Sequence, residues 1–254
     1  LVLEQGCVVH HESNNAVIAD LIHQRPERPL DGIVLVLSAR EMLLSDRAER
    51  QKKIHWLHQE FWKIQQKVEF VIPVYLLISD AEHLTGFKEF WSQPEFVEFR
   101  DDMWGWSNPY NMDVQFKQEW ISEALGQIEK SVRESQLQIA SRESSKGDES
   151  AMVLANSVES LRQPLIEVAR TVLNPSALSH PYMFRGVYLT GRFENKERAK
   201  KHQFLSSLFS RKIFSESSMA FPRQAKVLSA SARLRWFQLT SIALALILAG
   251  WFGI

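Results

Sequence analysis

The residues best suited to chemistry stand at the ends of apolar runs and in two histidine pairs. Glu4-Gln5-Gly6 follows Leu1-Val2-Leu3. Ser79-Asp80-Ala81-Glu82 follows the run ending at Ile78, and Thr190-Gly191 follows Phe184-Arg185-Gly186-Val187-Tyr188-Leu189. If these runs are strands of an open α/β sheet, ligands belong beyond their carboxyl ends, where the polar residues sit. Phosphate chemistry there would need a Gly-x-x-x-x-Gly-Lys-Ser/Thr loop to cradle the anion, and the sequence contains none. His55 and His58 are spaced i, i+3 with Glu60 close behind, so a helix would carry both imidazoles on one side. A metal there would need convergent ligands, and the plainer reading is a solvent-facing helix side. His10-His11 lies among Glu12, Ser13 and Asn14 and reads as a solvated loop. A Ser–His–Asp nucleophile has no Gly-x-Ser-x-Gly elbow to support it. The expectation is no catalytic residue, no metal and no cofactor.

The elements that must position these residues read as α/β. Leu1-Val2-Leu3 is the end of a strand, and Arg25-Pro26-Glu27-Arg28-Pro29 is a turn. Ile33-Val34-Leu35-Val36-Leu37-Ser38 is a continuous apolar run, as in a parallel strand covered on both faces. Ser45-Asp46 supplies a helix N-cap, and Ile54, Leu57, Phe61 and Ile64 follow at helical spacing, with Arg50, Lys52, Lys53, Glu60 and Lys63 on the other faces. Phe70 to Ile78 is again strand-like. Strand, helix, strand implies a right-handed crossover between parallel neighbours. A long helix is predicted from Gln115 to about Ser141, with Trp120, Ile121, Leu125, Ile128 and Val132 on one side. The polar stretch Ser144 to Ser150 is a loop, and helix resumes at Ala151, is interrupted at Pro164 and runs to Leu173. Phe184 to Thr190 reads as a last strand. Lys196 to Ser210 reads as a basic helix with Phe204, Leu205, Leu208 and Phe209 as its apolar stripe. Trp104-Gly105-Trp106, with nearby Trp91, forms either an exposed aromatic patch for a partner or part of the domain's own core.

Charge sharpens the picture at the C-terminal end. The chain is neutral overall, so no polyelectrolyte partner is implied and no nucleic acid is expected. Cys7 is the single cysteine, which excludes an intramolecular disulfide framework. The first residues show neither a methionine nor a signal sequence, and the chain reads as cut from something longer. From Lys196 to Arg235 there are ten Lys or Arg against Glu197 and Glu216 alone. Trp236 to Ile254 then carries no charge, close to the roughly 20 residues of helix that cross a bilayer. A transmembrane helix, itself truncated, is expected over 236–254, and the basic residues before it place residues 1–235 in the cytoplasm. Arg233, Arg235, Trp236, Phe237 and Trp251 are the expected lipid contacts. A buried C-terminal helix of a soluble binding module is the competing reading of the same run.

The series Arg25-Pro26, Pro29-Leu30-Asp31-Gly32-Ile33, Pro73-Val74-Tyr75, Leu84-Thr85-Gly86-Phe87, Trp104-Gly105-Trp106 and Phe184 to Thr190 resembles the cytoplasmic region of the IcmF/TssM family. Phe204-Leu205, Leu208-Phe209, Ile213-Phe214-Ser215-Glu216 and Ala220-Phe221-Pro222 extend the likeness toward the C-terminus. The resemblance implies a structural inner-membrane component of a bacterial type VI secretion system, or of the related type IVB systems. It implies a small-GTPase-like parallel-sheet domain over 1–193, its N-terminal part missing, with a helical insertion at 115–175. A basic juxtamembrane extension over 194–235 then leads to the membrane helix. The implied partners are a tail-anchored inner-membrane protein of the DotU/TssL type, further copies of the chain, other secretion subunits and membrane lipids. Against a guanine-binding Thr/Asn-Lys-x-Asp loop, Ser79, Asp80, Ala81 and Glu82 put an acid where the lysine would cover the base. Against Asp-x-x-Gly, Glu4-Gln5-Gly6-Cys7 preserves neither end. Glu4, Ser79, Asp80, Glu82 and Thr190 are thus degenerate nucleotide-motif positions, and scaffolding rather than hydrolysis is expected. The alternative is an NTPase subunit whose phosphate loop lies upstream of Leu1.

Overall fold

Continuous apolar runs become parallel strands, and the amphipathic runs become the helices that cover them. The computed structural model describes residues 2–4, 11–68, 70–111, 114–140, 153–173, 182–195, 198–222, 236–237 and 239–241. In chain order come β1 (Val2–Glu4), α1 (His11–Gln24), β2 (Ile33–Ser38), α2 (Ala39–Leu44), α3 (Arg47–Lys67), β3 (Phe70–Val71), β4 (Pro73–Ser79) and α4 (Phe87–Trp91). Then follow β5 (Trp104–Ser107), α5 (Glu119–Ala140), α6 (Leu154–Ser160), α7 (Arg162–Val172), β6 (Met183–Leu189), β7 (Gly191–Asn195), β8 (Arg198–Gln203) and β9 (Phe221–Pro222). The main sheet has the order β1-β2-β4-β6-β5, parallel except for the antiparallel edge β5.

Local signals explain the boundaries. Asp46 caps α3, its Oδ1 accepting from the Ala48 N–H at 2.7 Å. Ile54, Leu57, Phe61 and Ile64 are all buried, as their spacing predicts; Glu60, expected on an outer face, is buried too and pairs with Lys63 at 2.7 Å. On α5, Trp120, Ile121, Leu125, Ile128 and Val132 are buried together. The break between α6 and α7 falls at Leu161, ahead of Pro164, which sits in the first turn of α7 where its missing N–H costs nothing. Trp104 and Trp106 point into the core from β5 while Gly105 and Ser107 are exposed, so the tryptophans are core rather than a patch.

Two further expectations are overturned: His11 to Asn14, read as a solvated loop, open α1, and the basic helix expected from Lys196 does not form as read. Within the stretch predicted as a basic helix, Arg198–Gln203 is instead the second strand of a hairpin, β8 pairing antiparallel with β7. Between Arg198 and Gln203 only Ala199 is apolar, so there is no stripe for a helix to bury. Phe204 then adopts a left-handed conformation at φ 68°, and helix begins only at Leu205. Leu205–Ser207 continues into a wider turn over Leu208–Ile213, where the Phe214 N–H donates to the Phe209 carbonyl at 2.9 Å. The hairpin straddles the boundary drawn at residue 193.

Each parallel step from β1 to β2 to β4 to β6 moves the same way across the sheet. Right-handed crossovers therefore place the connecting helices on one face. Ile18 of α1, Leu57 of α3, Leu125 of α5 and Leu165 of α7 accordingly share one core with Leu35, Leu76 and Val187. The other face, Val34, Val36, Tyr75, Leu77 and Tyr188, is covered by Leu208, with Leu205, Phe209 and Ile213 packed around it. Alternate residues of β2 and β4 thus serve two separate cores.

An ion pair fixes that second layer. Val74 pairs with Phe184 but Tyr75 pairs with Gly186, so Arg185 is the extra residue of a bulge. A side chain at Gly186 would meet the Trp106 carbonyl oxygen at 2.3 Å, so the bulge requires glycine there. Arg185 donates to Glu216 through both Nη2 (2.8 Å) and Nε (3.0 Å). The Tyr75 hydroxyl donates to the same carboxylate at 2.8 Å, and Lys212 Nζ lies 2.7 Å away. Burial would raise the Glu216 carboxyl, but the bonds from Arg185, Lys212 and Tyr75 outweigh it and hold the group at about 2. Burial, then the bond to Glu216, pushes the Tyr75 hydroxyl well up.

A carboxyl held below its ordinary 4.5 stabilises the fold above that pH, and its contribution is lost as pH falls toward about 2. Glu216→Gln should therefore cost about 2–4 kcal/mol at neutral pH in urea unfolding. It should also flatten the acid limb of the stability curve between those two pH values, relative to the unsubstituted chain.

Candidate functional site

The parallel strands β2, β4 and β6 end on one edge at Ser38, Ser79 and Leu189. That edge gathers most of the expected motif positions. Ser79 ends β4, Asp80 turns left-handed at φ 56°, and Glu82 lies in the short turn Ala81–His83. Thr190 follows β6 directly alongside. Its N–H donates to the Ile78 carbonyl (2.8 Å), and its own carbonyl accepts from Ala81 (3.0 Å). Its hydroxyl donates to the Gln203 carbonyl at 2.7 Å. Glu4 ends β1, paired with Val36 and separated from β4 by β2.

The chain fills its own strand-end cleft. Glu82 accepts the Arg192 N–H at 2.9 Å. The Arg192 guanidinium lies 3.9 Å from both Asp80 and Glu82, a loose half-exposed pairing that contributes little. Beneath it the Phe87 ring is fully buried. A Cβ on Gly191 would come within 2.5 Å of that ring, so only glycine admits β7 this close. Phe87 meets Trp104 at 5.7 Å and Phe204 at 6.5 Å, and Phe204 meets Trp91 at 4.6 Å between centroids. The hairpin β7–β8 and Phe204 therefore close over the strand ends. Asp80 and Glu82 face a guanidinium and a backbone N–H of the protein itself.

The other candidates do not converge. His55 is exposed, its Nε2 2.9 Å from the Gln59 side-chain nitrogen, while His58 is half-buried and its Nδ1 lacks a partner among the described residues. Among the described residues, no three His, Cys, Asp or Glu side chains are grouped to hold a metal. His10, Arg233, Arg235 and Trp251 lie outside the described residues, as does 242–254. No helix among the described residues is long and apolar enough to cross a membrane. Trp236 and Phe237 are helical and 71% and 75% exposed. The Arg185–Glu216 clamp escaped sequence reading, although an arginine inside an otherwise apolar strand is a signal that a carboxylate must meet it.

Comparison with known proteins agrees with the resemblance. A family model described as the IcmF-related N-terminal domain matches residues 10–196. The chain belongs to the IcmF/TssM family. A type VI secretion system component of Pseudomonas aeruginosa, TssM1, is 28% identical over 82 residues. That match covers 32% of this chain and 7% of the relative, so the chain corresponds to a small part of that protein. No solved structure matches.

The packing makes a direct expectation about nucleotides. Titration calorimetry with GTP, GDP or ATP and magnesium should give no saturable heat. Phe87→Ala should lower stability by about 3–5 kcal/mol, because the large buried ring leaves a cavity, without creating nucleotide affinity.

Proposed function

We propose that this chain is the cytoplasmic part of a structural inner-membrane component of a bacterial secretion machine, of type VI or the related type IVB kind. The family match over residues 10–196 carries the reading. The role is assembly: the domain presents a surface to neighbouring subunits and makes or breaks no bonds. A strand-end cleft filled by Phe87 and the β7–β8 hairpin suits that role, since a hydrolase would keep the cleft open for substrate. The small-GTPase-like architecture then survives as a scaffold. Strand order, parallel crossovers and the positions of the altered motifs support this descent.

The membrane anchor belongs to the same proposal. Basic residues up to Arg235 precede the uncharged run, the arrangement of a cytoplasmic flank. Trp236, Phe237 and Leu239 are 71%, 75% and 61% exposed, whereas a core helix of a soluble module would bury them. Residues 236–254 then form the transmembrane helix, with Arg233, Arg235 and Trp251 at the lipid headgroups. The partners are a tail-anchored protein of the DotU/TssL type, further copies of the chain and other secretion subunits.

Purification of the native protein from its membranes in mild detergent, with mass spectrometry of the associated proteins, tests the role. Recovery of a DotU/TssL-type protein with baseplate or sheath subunits is the expected type VI result, and coupling subunits would indicate type IVB. Recovery of the protein alone, with nucleotide turnover, would overturn the scaffold reading. Removing residues 236–254 should release a soluble domain with an unchanged thermal midpoint; unfolding on deletion would instead make that run part of the core.

A further inference from the structure

A cleft of about 380 Å³ opens where the amino end of α3 meets α7. From α3 it is lined by Arg47 and Arg50, spaced i, i+3. From α7 it is lined by Gln163, Ile166, Glu167 and Arg170, spaced i, i+3, i+4, i+7. Each set therefore shares one helix face, and the two helices bring three guanidinium groups to one space.

One of the three is held in place by the fold. The Arg50 side chain is only 18% exposed. Its Nη1 donates to the Met42 and Ser45 carbonyls at 3.2 and 3.3 Å, and its Nε donates to Glu167 Oε2 at 3.2 Å. Its Nη2 makes no bond among the described residues, so a fixed guanidinium keeps donors free for whatever enters. Glu167, the one carboxylate among the lining residues, has both oxygens engaged, Oε2 by Arg50 and Oε1 by the Gln51 amide. Arg47 and Arg170 are exposed, and neither forms an ion pair or side-chain hydrogen bond among the described residues. Asp46 and Glu49, close to Arg47 in the chain, do not line the cleft, and Asp46 Oδ1 is spent on capping α3. Three arginines against one engaged carboxylate leave the cleft positive and short of partners.

We propose that this cleft binds an acidic segment of a partner protein. One carboxylate of that segment accepts from Arg50 Nη2, and further Asp or Glu side chains meet Arg47 and Arg170. Guanidinium groups pair with carboxylates through two donors at once, which fixes direction as well as sign. A space of this volume takes several groups of a ligand rather than a lone ion. An apolar contact stands beside it. Leu44 is 74% exposed and precedes Ser45, whose carbonyl holds Arg50, so an apolar residue among the acids of the segment would cover it. Arg50 anchors the contact, while the two outer arginines select the sign of the partner and speed its arrival. Nothing in this site depends on the secretion role, so a negative result here leaves that role standing.

The test selects phage-displayed random peptides of roughly 12 residues on the intact chain in detergent. Enriched peptides are then synthesised and titrated. The expected result is enrichment of peptides with two or more Asp or Glu residues beside an apolar one. Affinity should fall about tenfold or more at low salt for the double variant Arg47→Glu, Arg170→Glu, and the difference should shrink at high salt. Lys130→Glu makes a charge reversal on α5, outside the cleft and on a side chain 68% exposed, and should leave the affinity unchanged. All three replaced side chains are exposed, and an unchanged thermal midpoint confirms that each variant is folded. Enrichment of basic or uncharged peptides, no enrichment at all, or equal losses for the double variant and Lys130→Glu would overturn the proposal.

Discussion

A sheet whose parallel crossovers all step in one direction collects its connecting helices on a single face. Here β1, β2, β4 and β6 succeed one another across the sheet in chain order, so the handedness of each crossover commits α1, α3 and the helices after β5 to the same side. Val34, Val36, Tyr75, Leu77 and Tyr188 would then lie against water. The rest of the molecule follows from covering them. The segment after β8 is recruited to that face, and Glu216 is taken out of solvent to meet Arg185 there.

That solution joins two regions that sequence alone separates. The carboxylate that anchors the C-terminal segment is satisfied by a bulge in β6, by a tyrosine of β4 and by a lysine one helical turn back in its own segment. A desolvated carboxylate needs all its partners in place, so the clamp selects one seating of the segment over sliding alternatives. The same route from β6 through the hairpin lays Gly191 against Phe87 and brings Phe204 onto Trp91 and Trp104. Closing the second face and closing the strand-end cleft are thus one movement of the chain.

Much of this was legible in the sequence. The runs at 33–38 and 70–78 announced buried parallel strands because every residue in them is apolar or nearly so, and Ile54, Leu57, Phe61 and Ile64 announced the helix between them. Trp104-Gly105-Trp106 suits a contact patch and a buried core equally well in sequence, and only its pairing with β6 decides for the core. The hairpin was misread because lysine and arginine favour helices when packing does not intervene, and strand pairing overrode that preference. The altered motif residues were legible as altered. That Arg192 and Phe87 fill the cleft was not, because the close approach depends on Gly191 and on a hairpin whose register no local pattern states.

The late position of the covering segment also orders events on the ribosome. Because chains emerge from the amino end and domains fold as units, the helix-covered face of the sheet can assemble once β6 is out. The opposite face stays bare until Leu205 to Ile213 have followed, and the clamp cannot shut before Glu216. Only 19 residues separate Glu216 from the uncharged run that begins at Trp236. Until that covering segment is made, the nascent sheet carries Val34, Val36, Tyr75 and Tyr188 uncovered.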